Sequence, residues 1–423
     1  MTGILNFLVD ILSVPAILVG ITALAGLVAQ RKSFSDILVG SFKAFLGFLI
    51  LVAGAVTLIG SLDALGPMLE QGFGIRGVVP NNEAIVALAQ QVLGRETALI
   101  MVLGFAANIL LARFTPLKYI WLTGHHSFYM AAMLSATLGT AGLSGAVLII
   151  VGAILLGLMQ VLMPAWVQPY MRKDTGSDDL ALGHFGTLGY VASGFVGGFV
   201  GDPEDSTEKM EFPKSLGFLR DSIVATGVVM VIIMLIAAIA AGASYVQDNL
   251  SGGQNFLVYA IVQGATFAAG VAVVIYGVRM IVAEIIPAFK GISDRIVPEA
   301  KPALDCPVTF PYAPNAVLIG FLSSFVAGII SMFIMRIVNL TVIVPGLVPH
   351  FFVGGTAGVV GNATGGRRGA IIGAFVNGII ISFLATFLLP GMGALGFENT
   401  TFGDSDFQWL GILISVVARF LGR

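Results

Sequence analysis

The chain alternates long apolar runs with short polar breaks. Runs of a length that spans a bilayer, about 17–25 residues as a helix, fall at roughly 13–30, 38–61, 96–114, 118–138, 141–165, 221–245, 255–283, 314–336, 338–360, 368–390 and 406–422. They predict eleven transmembrane helices and an all-α polytopic membrane protein. The fourth and ninth runs carry polar residues, and the eleventh is short. Residues 1–12 read as an interfacial segment. No basic n-region and no small-residue cleavage site accompany the first run, so it is expected to stay as an anchor.

Three stretches between the runs are not plain loops. Residues 62–94 and 284–313 are amphipathic and interrupted by Gly and Pro. Residues 171–220 form one long polar segment, and a loop of that length is usually functional or disordered. Its middle, Leu180–Val200, is too apolar and too Gly-rich for disorder. It is expected to re-enter the protein at membrane depth.

Charge orients the spans. With the N-terminus outside, 17 of the 21 basic residues fall on inner loops and the tail. Outer loops keep Arg76, Arg95 and Arg336, and Lys43 lies within a span. That positive-inside bias predicts a cytoplasmic 171–220 segment and a cytoplasmic C-terminus. The composition agrees: 57% of residues are hydrophobic and 10% charged, too few charges to cover a soluble protein of this size. A net charge of −2 argues against nucleic acid as a partner. A single cysteine, Cys306, excludes an internal disulfide.

A weak internal repeat adds to this. A VP pair follows a long span in both halves, Val79–Pro80 and Val297–Pro298. In both, a later span follows an arginine (Arg113, Arg336) and breaks at a glycine (Gly124, Gly346) before a His–Phe cluster. The offset is about 220 residues, or five spans, and an odd number of spans inverts the second copy. Inverted repeats are a common transporter design, with substrate held between the copies near the midplane. The expected layout is one integral membrane domain over 1–423. It holds a first repeat at about 13–165, the 171–220 segment, a second repeat at about 221–390, and a final helix at 406–423.

The polar residues inside this apolar chain are the candidates for chemistry, since ionisable groups at bilayer depth are costly and usually functional. His125 and His126 lie in WLTGHHSFYM (Trp121–Met130). On a helix they point about 100° apart, so they cannot both face one ligand. His125 is preferred, because Tyr129 shares its face. Both side chains can donate and accept hydrogen bonds, which suits a polyhydroxylated solute. His184 lies in a Gly-flanked segment, ALGHFG. Asp305 lies among prolines, where it could bind vicinal hydroxyls, cap the following helix or pair with Lys301. Asn82 and Glu83 hold the corresponding place in the first half, where a helix cap is the plainer reading. No metal-type spacing of ligands occurs along the chain. No activated nucleophile and no phosphate-binding GxxxxGK[ST] loop occur either. Neither a cofactor nor a metal is expected.

The motifs PNNEA, TGHHSFYMA, LGHF, GVRMIVAEIIPAFKGIS, ALDCP, YAPNAV and PGLVPHFF, in that order, run over nearly the whole chain. This pattern resembles the ascorbate-specific enzyme IIC of the bacterial phosphoenolpyruvate-dependent phosphotransferase system. The resemblance implies eleven transmembrane segments in the bacterial inner membrane. It implies a substrate-holding core domain that moves like an elevator and a V-shaped domain that makes a homodimer. L-ascorbate or a related sugar or polyol would be phosphorylated on the cytoplasmic side by a IIB partner, itself supplied by IIA. The chain would be a transport subunit, not an enzyme. Substrate contacts would fall on Asn82, Glu83, the segment His125, His126, Ser127, Phe128 and Tyr129, then His184, Phe185 and Asp305. Ascorbate members carry Thr–Tyr at Asn82–Glu83, Gln at Tyr129 and Gln at Phe185. These departures bear on the substrate, for which a neutral pentose or polyol is the alternative. An ion-coupled secondary transporter of a small polar solute is the alternative mechanism.

Overall fold

A computed structural model describes residues 14–74, 77–80, 82–210, 222–293, 296–392 and 400–422. The interfacial segment 1–12, the 211–220 end of the long polar segment and the side chain of Glu83 lie outside the described residues. Thirteen α-helices are described in these residues. The first half holds α1 (Pro15–Ala29), α2 (Phe34–Leu62), α3 (Leu65–Phe73), α4 (Asn82–Phe114), α5 (Gly124–Thr140), α6 (Gly145–Thr175) and α7 (Thr187–Val200). The second holds α8 (Ser222–Ala241), α9 (Ala243–Asn249), α10 (Phe256–Ser293), α11 (Pro314–Ile337), α12 (Leu347–Met392) and α13 (Ser405–Phe420). Five of them are long and apolar enough to cross a membrane, or six if the bent pair α8–α9 is one span.

The helices fall into two groups. α1, α2, α8 and α10 pack chiefly on one another, with α3 against α8. The second group joins α4, α5 and α6 to α13, and α7 and α11 to α12. Without a hydrophobic drive between helices in lipid, close packing of small residues holds such bundles. α11 and α12 meet in this way, since a Cβ on Gly320 would lie 2.6 Å from the Cα of Gly358.

The expected elements shift in four places. The chain is not purely helical, because the Gly- and Pro-rich joints form short strands. These are β1 (Val79–Pro80), β2 (Tyr119–Trp121), β3 (Ala181–Leu182), β4 (Lys301–Leu304) and β5 (Thr400–Thr401). Segments too short to bond internally as helices satisfy their backbone groups across the chain instead. The fourth expected span therefore starts as β2 and becomes helical only at Gly124. The span expected at 221–245 ends at Gly242, where α9 departs at 102°. α6 runs ten residues beyond its expected end, to a left-handed Gly176.

The spans expected at 338–360 and 368–390 are the two arms of α12. A straight helix of 46 residues would measure roughly 70 Å, about twice a hydrocarbon core. Instead it breaks at Gly365 and Gly366. A Cβ on Gly361 would collide with the Gly369 carbonyl, so the arms fold back on each other. Gly366 has φ +55° and ψ −144°, a conformation essentially confined to glycine. Its Cα faces the carbonyls of Asp202 and Asp205, and Asp205 in turn accepts the Arg367 N–H at 2.8 Å. Gly366→Ala is therefore expected to destabilise the fold by at least about 1–3 kcal/mol. Thermal unfolding of the purified protein would read this, and an unchanged melting temperature would refute the assignment of the turn.

The long polar segment is ordered where described. β3 is buried, and α7 packs one face on α12 and leaves Phe195 and Phe199 exposed on the other. Beyond α7, Glu208 accepts the N–H groups of Asn315 and Ala316 at 3.0 Å each, capping α11. Asn362 accepts the Thr207 N–H at 2.8 Å.

Candidate functional site

Three parallel strands deliver the site residues. β4 lies between β2 and β3, with Trp121 and Ala181 both in register with Ala303, and Leu182 with Leu304. Just past the C-terminal ends of these strands come His125, His184 and Asp305. Residues more than a hundred positions apart therefore meet at one end of a small sheet. At its other end Asp178 ties the strands down, pairing with Lys301 and with Arg172 Nε at 2.7 Å. Lys301, Gln168 and Arg172 hold the Asp178 carboxyl well below the usual carboxylate range.

Asp305 is the hub. One carboxylate oxygen lies 3.4 Å from His125 Nε2 and the other 3.9 Å from His184 Nε2. It also accepts the Cys306 N–H at 2.7 Å, capping a short 3-10 turn. Of the readings left open for it, a pairing with Lys301 does not form, because Lys301 is engaged by Asp178. The His184 Nδ1 meets the Tyr190 hydroxyl at 2.7 Å. Tyr129 stands beside His125, with ring centroids 5.7 Å apart, on the shared face expected of residues four apart.

His126 faces elsewhere, as the 100° rotation requires. Its Nε2 lies 3.9 Å from Asp404, and its Nδ1 accepts the Phe185 N–H at 3.4 Å. That bond puts the proton of a neutral imidazole on Nε2. Yet its ring centroid is only 3.9 Å from that of His184, so both histidines join one cluster. Side-chain nitrogen and oxygen atoms of His126, His184 and Asp404 come within 4.8 Å of one another. Spacing along the chain gave no hint of this juxtaposition, because it is made entirely by tertiary contacts. The fourth histidine, His350, lies where the second repeat was expected to place a counterpart. It bonds to Ser324 at 2.8 Å instead.

A second small sheet forms the adjoining wall. β1 and β5 pair in parallel and bring Asn82 against the start of α13. Asn82 donates to Asp404 at 3.0 Å and accepts the Gly403 N–H at 2.8 Å. Its side chain is thus a clamp between halves rather than a cap on its own helix. The run GDSD (Gly403–Asp406) opens the last helix. Asp406 accepts the N–H groups of Thr187 and Leu188 at 2.8 and 3.0 Å, capping α7. The signal for it was present, as two acids at the head of an apolar run.

Two other members of the expected set point away from the imidazoles. Ser127 bonds to the Thr123 carbonyl and accepts from Gln160 at 2.8 Å. Phe128 packs against the apolar cluster of α4, α5, α6 and α13. Phe185 is fully buried and stacks on Trp121 at 4.2 Å, and it meets the cluster through its backbone N–H and its ring, whose centroid lies 6.0 Å from that of His126. The side chains of His125 and Asp305 keep 16% and 13% exposure, against 3–4% for His126, His184 and Asp404. The open side of the cluster is therefore the His125–Asp305 edge.

Two comparisons with known proteins bear on this arrangement. Residues 10–406 match the family model EIIC-GAT, described as the PTS system sugar-specific permease component. The chain is also similar to the ascorbate-specific PTS system EIIC component of Mycoplasma pneumoniae (strain ATCC 29342 / M129 / Subtype 1). Identity is 27% over 443 positions, covering 89% of this chain and 66% of that relative, just under two thirds of its length. A match over nearly the whole chain, on a helical fold with several membrane-length apolar spans, shows that this protein belongs to the family of sugar-specific permease components of the phosphotransferase system.

Proposed function

We propose that the chain carries L-ascorbate, or a closely related sugar acid, across the bacterial inner membrane, and that a IIB partner phosphorylates the solute on the cytoplasmic side. The observation that carries this reading is Asp305 held between His125 and His184 at the least buried edge of a mostly buried polar cluster. A carboxylate and two imidazoles can read vicinal hydroxyls from both sides. The 27% identical relative is described as ascorbate-specific. Asn82, Glu83 and Tyr129 complete the binding set in this reading. Ser127, Phe128 and Phe185 hold its walls, and His126 links the set to Asp404.

Reciprocal strand pairing supports inverted repeats. Val78, just before β1 in the first half, bridges to Ile343 of the second, while β4 of the second half pairs with β2 of the first. β3 then adds to β4 as β5 adds to β1. On this reading each repeat runs further than the apolar runs suggested, through α7 and α13 respectively. The two halves would supply eleven transmembrane segments between them. The helices α1, α2, α8 and α10 would form the V-shaped domain that makes a homodimer. The other group would move as the elevator, with the N-terminus outside and the C-terminus in the cytoplasm.

The test is uptake of labelled L-ascorbate by cells that express the chain with its IIA and IIB partners. The label is expected to appear inside as a phosphate ester, and uptake is expected to stop when IIB is deleted. Unmodified ascorbate accumulating without IIB would instead establish an ion-coupled transporter.

A further inference from the structure

The charge of the His–Asp cluster and the proposed solute conflict if every imidazole is neutral. Ascorbate-like acids are anions at neutral pH, and Asp305 stands at the cluster's more exposed edge. Among the described residues no Lys or Arg pairs with Asp305. Lys301, four residues before it, is drawn to Asp178 at the far end of β4. In a protein interior, two like charges about 4 Å apart weaken binding by roughly three powers of ten. A cation must come from somewhere, and the groups able to supply one beside Asp305 are histidines.

Hydrogen bonds distinguish these histidines. His126 Nδ1 accepts the Phe185 N–H, so a proton added there would set two N–H groups against each other. The Nδ1 of His184 meets a phenol oxygen, which can accept as well as donate, and its Nε2 faces Asp305. His125 faces the same carboxylate from the open side. The other titratable groups around this pair are His126 and Tyr129 on α5, Tyr190 on α7, Cys306 after β4, Asp404 before α13 and Asp406 in its first turn. Asp406 has its charge offset by the first-turn amides of α7.

We propose that this site binds its anionic solute together with one proton, held between Asp305 and the imidazoles of His125 and His184. The proton comes from solvent onto an imidazole nitrogen, and no other bond changes. The resulting imidazolium neutralises Asp305 and leaves the carboxylate free to accept from the solute's hydroxyls. The inference rests on the anionic-solute reading given above.

Titration calorimetry of L-ascorbate into the full-length protein in nanodiscs counts the protons. Runs in two buffers of different ionisation heat separate proton uptake from binding heat. Close to one proton is expected to enter per ascorbate, with affinity falling about tenfold per unit of pH above neutrality. Asp305→Asn, which keeps an acceptor but loses the charge, is expected to bind with no proton uptake and with an affinity flat in pH. Wild-type binding without proton uptake overturns the inference and leaves the solute assignment standing. An Asp305→Asn protein that still takes up a full proton overturns the assigned locus. Binding of a neutral pentose or polyol in place of ascorbate overturns both. The wild-type proton count decides the matter even if the variant does not fold.

Discussion

Asp305→Ala is expected to weaken solute binding by at least about a hundredfold while the chain still folds and inserts. Each hydrogen bond to a charged group contributes about 1.5–3 kcal/mol, and a carboxylate that accepts from two hydroxyls makes two of them. The substitution also removes the group that His125 and His184 both face. Folding is expected to survive, because the one backbone donor lost is the Cys306 N–H at the head of a short 3-10 turn. Calorimetry on the purified variant, alongside its elution as a single homogeneous species, separates the two effects. His125→Ala is expected to act in the same direction with a smaller loss, since it removes one of the two imidazoles. Unaltered affinity in the Asp305 variant would take that residue out of the site.

Asp406→Ala is expected to fail earlier, at folding. Its carboxylate is fully buried and accepts from Thr187, Leu188 and the Trp409 indole, the last at 3.1 Å. The first two bonds join α13 to α7, and the Asp406 N–H donates to the Phe185 carbonyl at 2.9 Å in the same joint. Breaking a buried charged network by removing one partner costs about 3–5 kcal/mol. That is a large share of the roughly 5–15 kcal/mol of stability typical of a folded protein. Fluorescence-detected size exclusion of a tagged variant is expected to show little folded protein. Asp406→Asn, which keeps a carbonyl acceptor, is expected to recover part of it. An Ala variant that melts like the wild type would mean that α7 is capped in some other way.

Particular residues show how far the amino-acid order carried the site. His125, His184 and Asp305 stood out because an ionisable group within an apolar run is rare enough to notice. The pairing of His125 with Tyr129 followed from helical geometry. Asp404 and Asp406 were legible as two acids at the head of an apolar run, but nothing local named their partners. Their partners Asn82, Thr187 and Leu188 are more than two hundred positions away. Phe185 was expected to line the site beside His184. Its ring is stacked on Trp121 of β2 and lies beside His126, contacts that only the pairing of β2 and β3 with β4 brings about.

The chain order by itself determined the membrane character, the helical class, and the short list of polar groups that had to be accommodated within it. Hydropathy is a local sum over twenty or so residues, so it survives whatever the rest of the chain does. Only the tertiary structure decided which of those groups meet. Two small parallel sheets, each drawing strands from both halves, set His125 and His184 on Asp305 and His126 on Asp404. Strand pairing of this kind is made by backbone hydrogen bonds between distant segments, and backbone bonds carry no side-chain signature to read in advance.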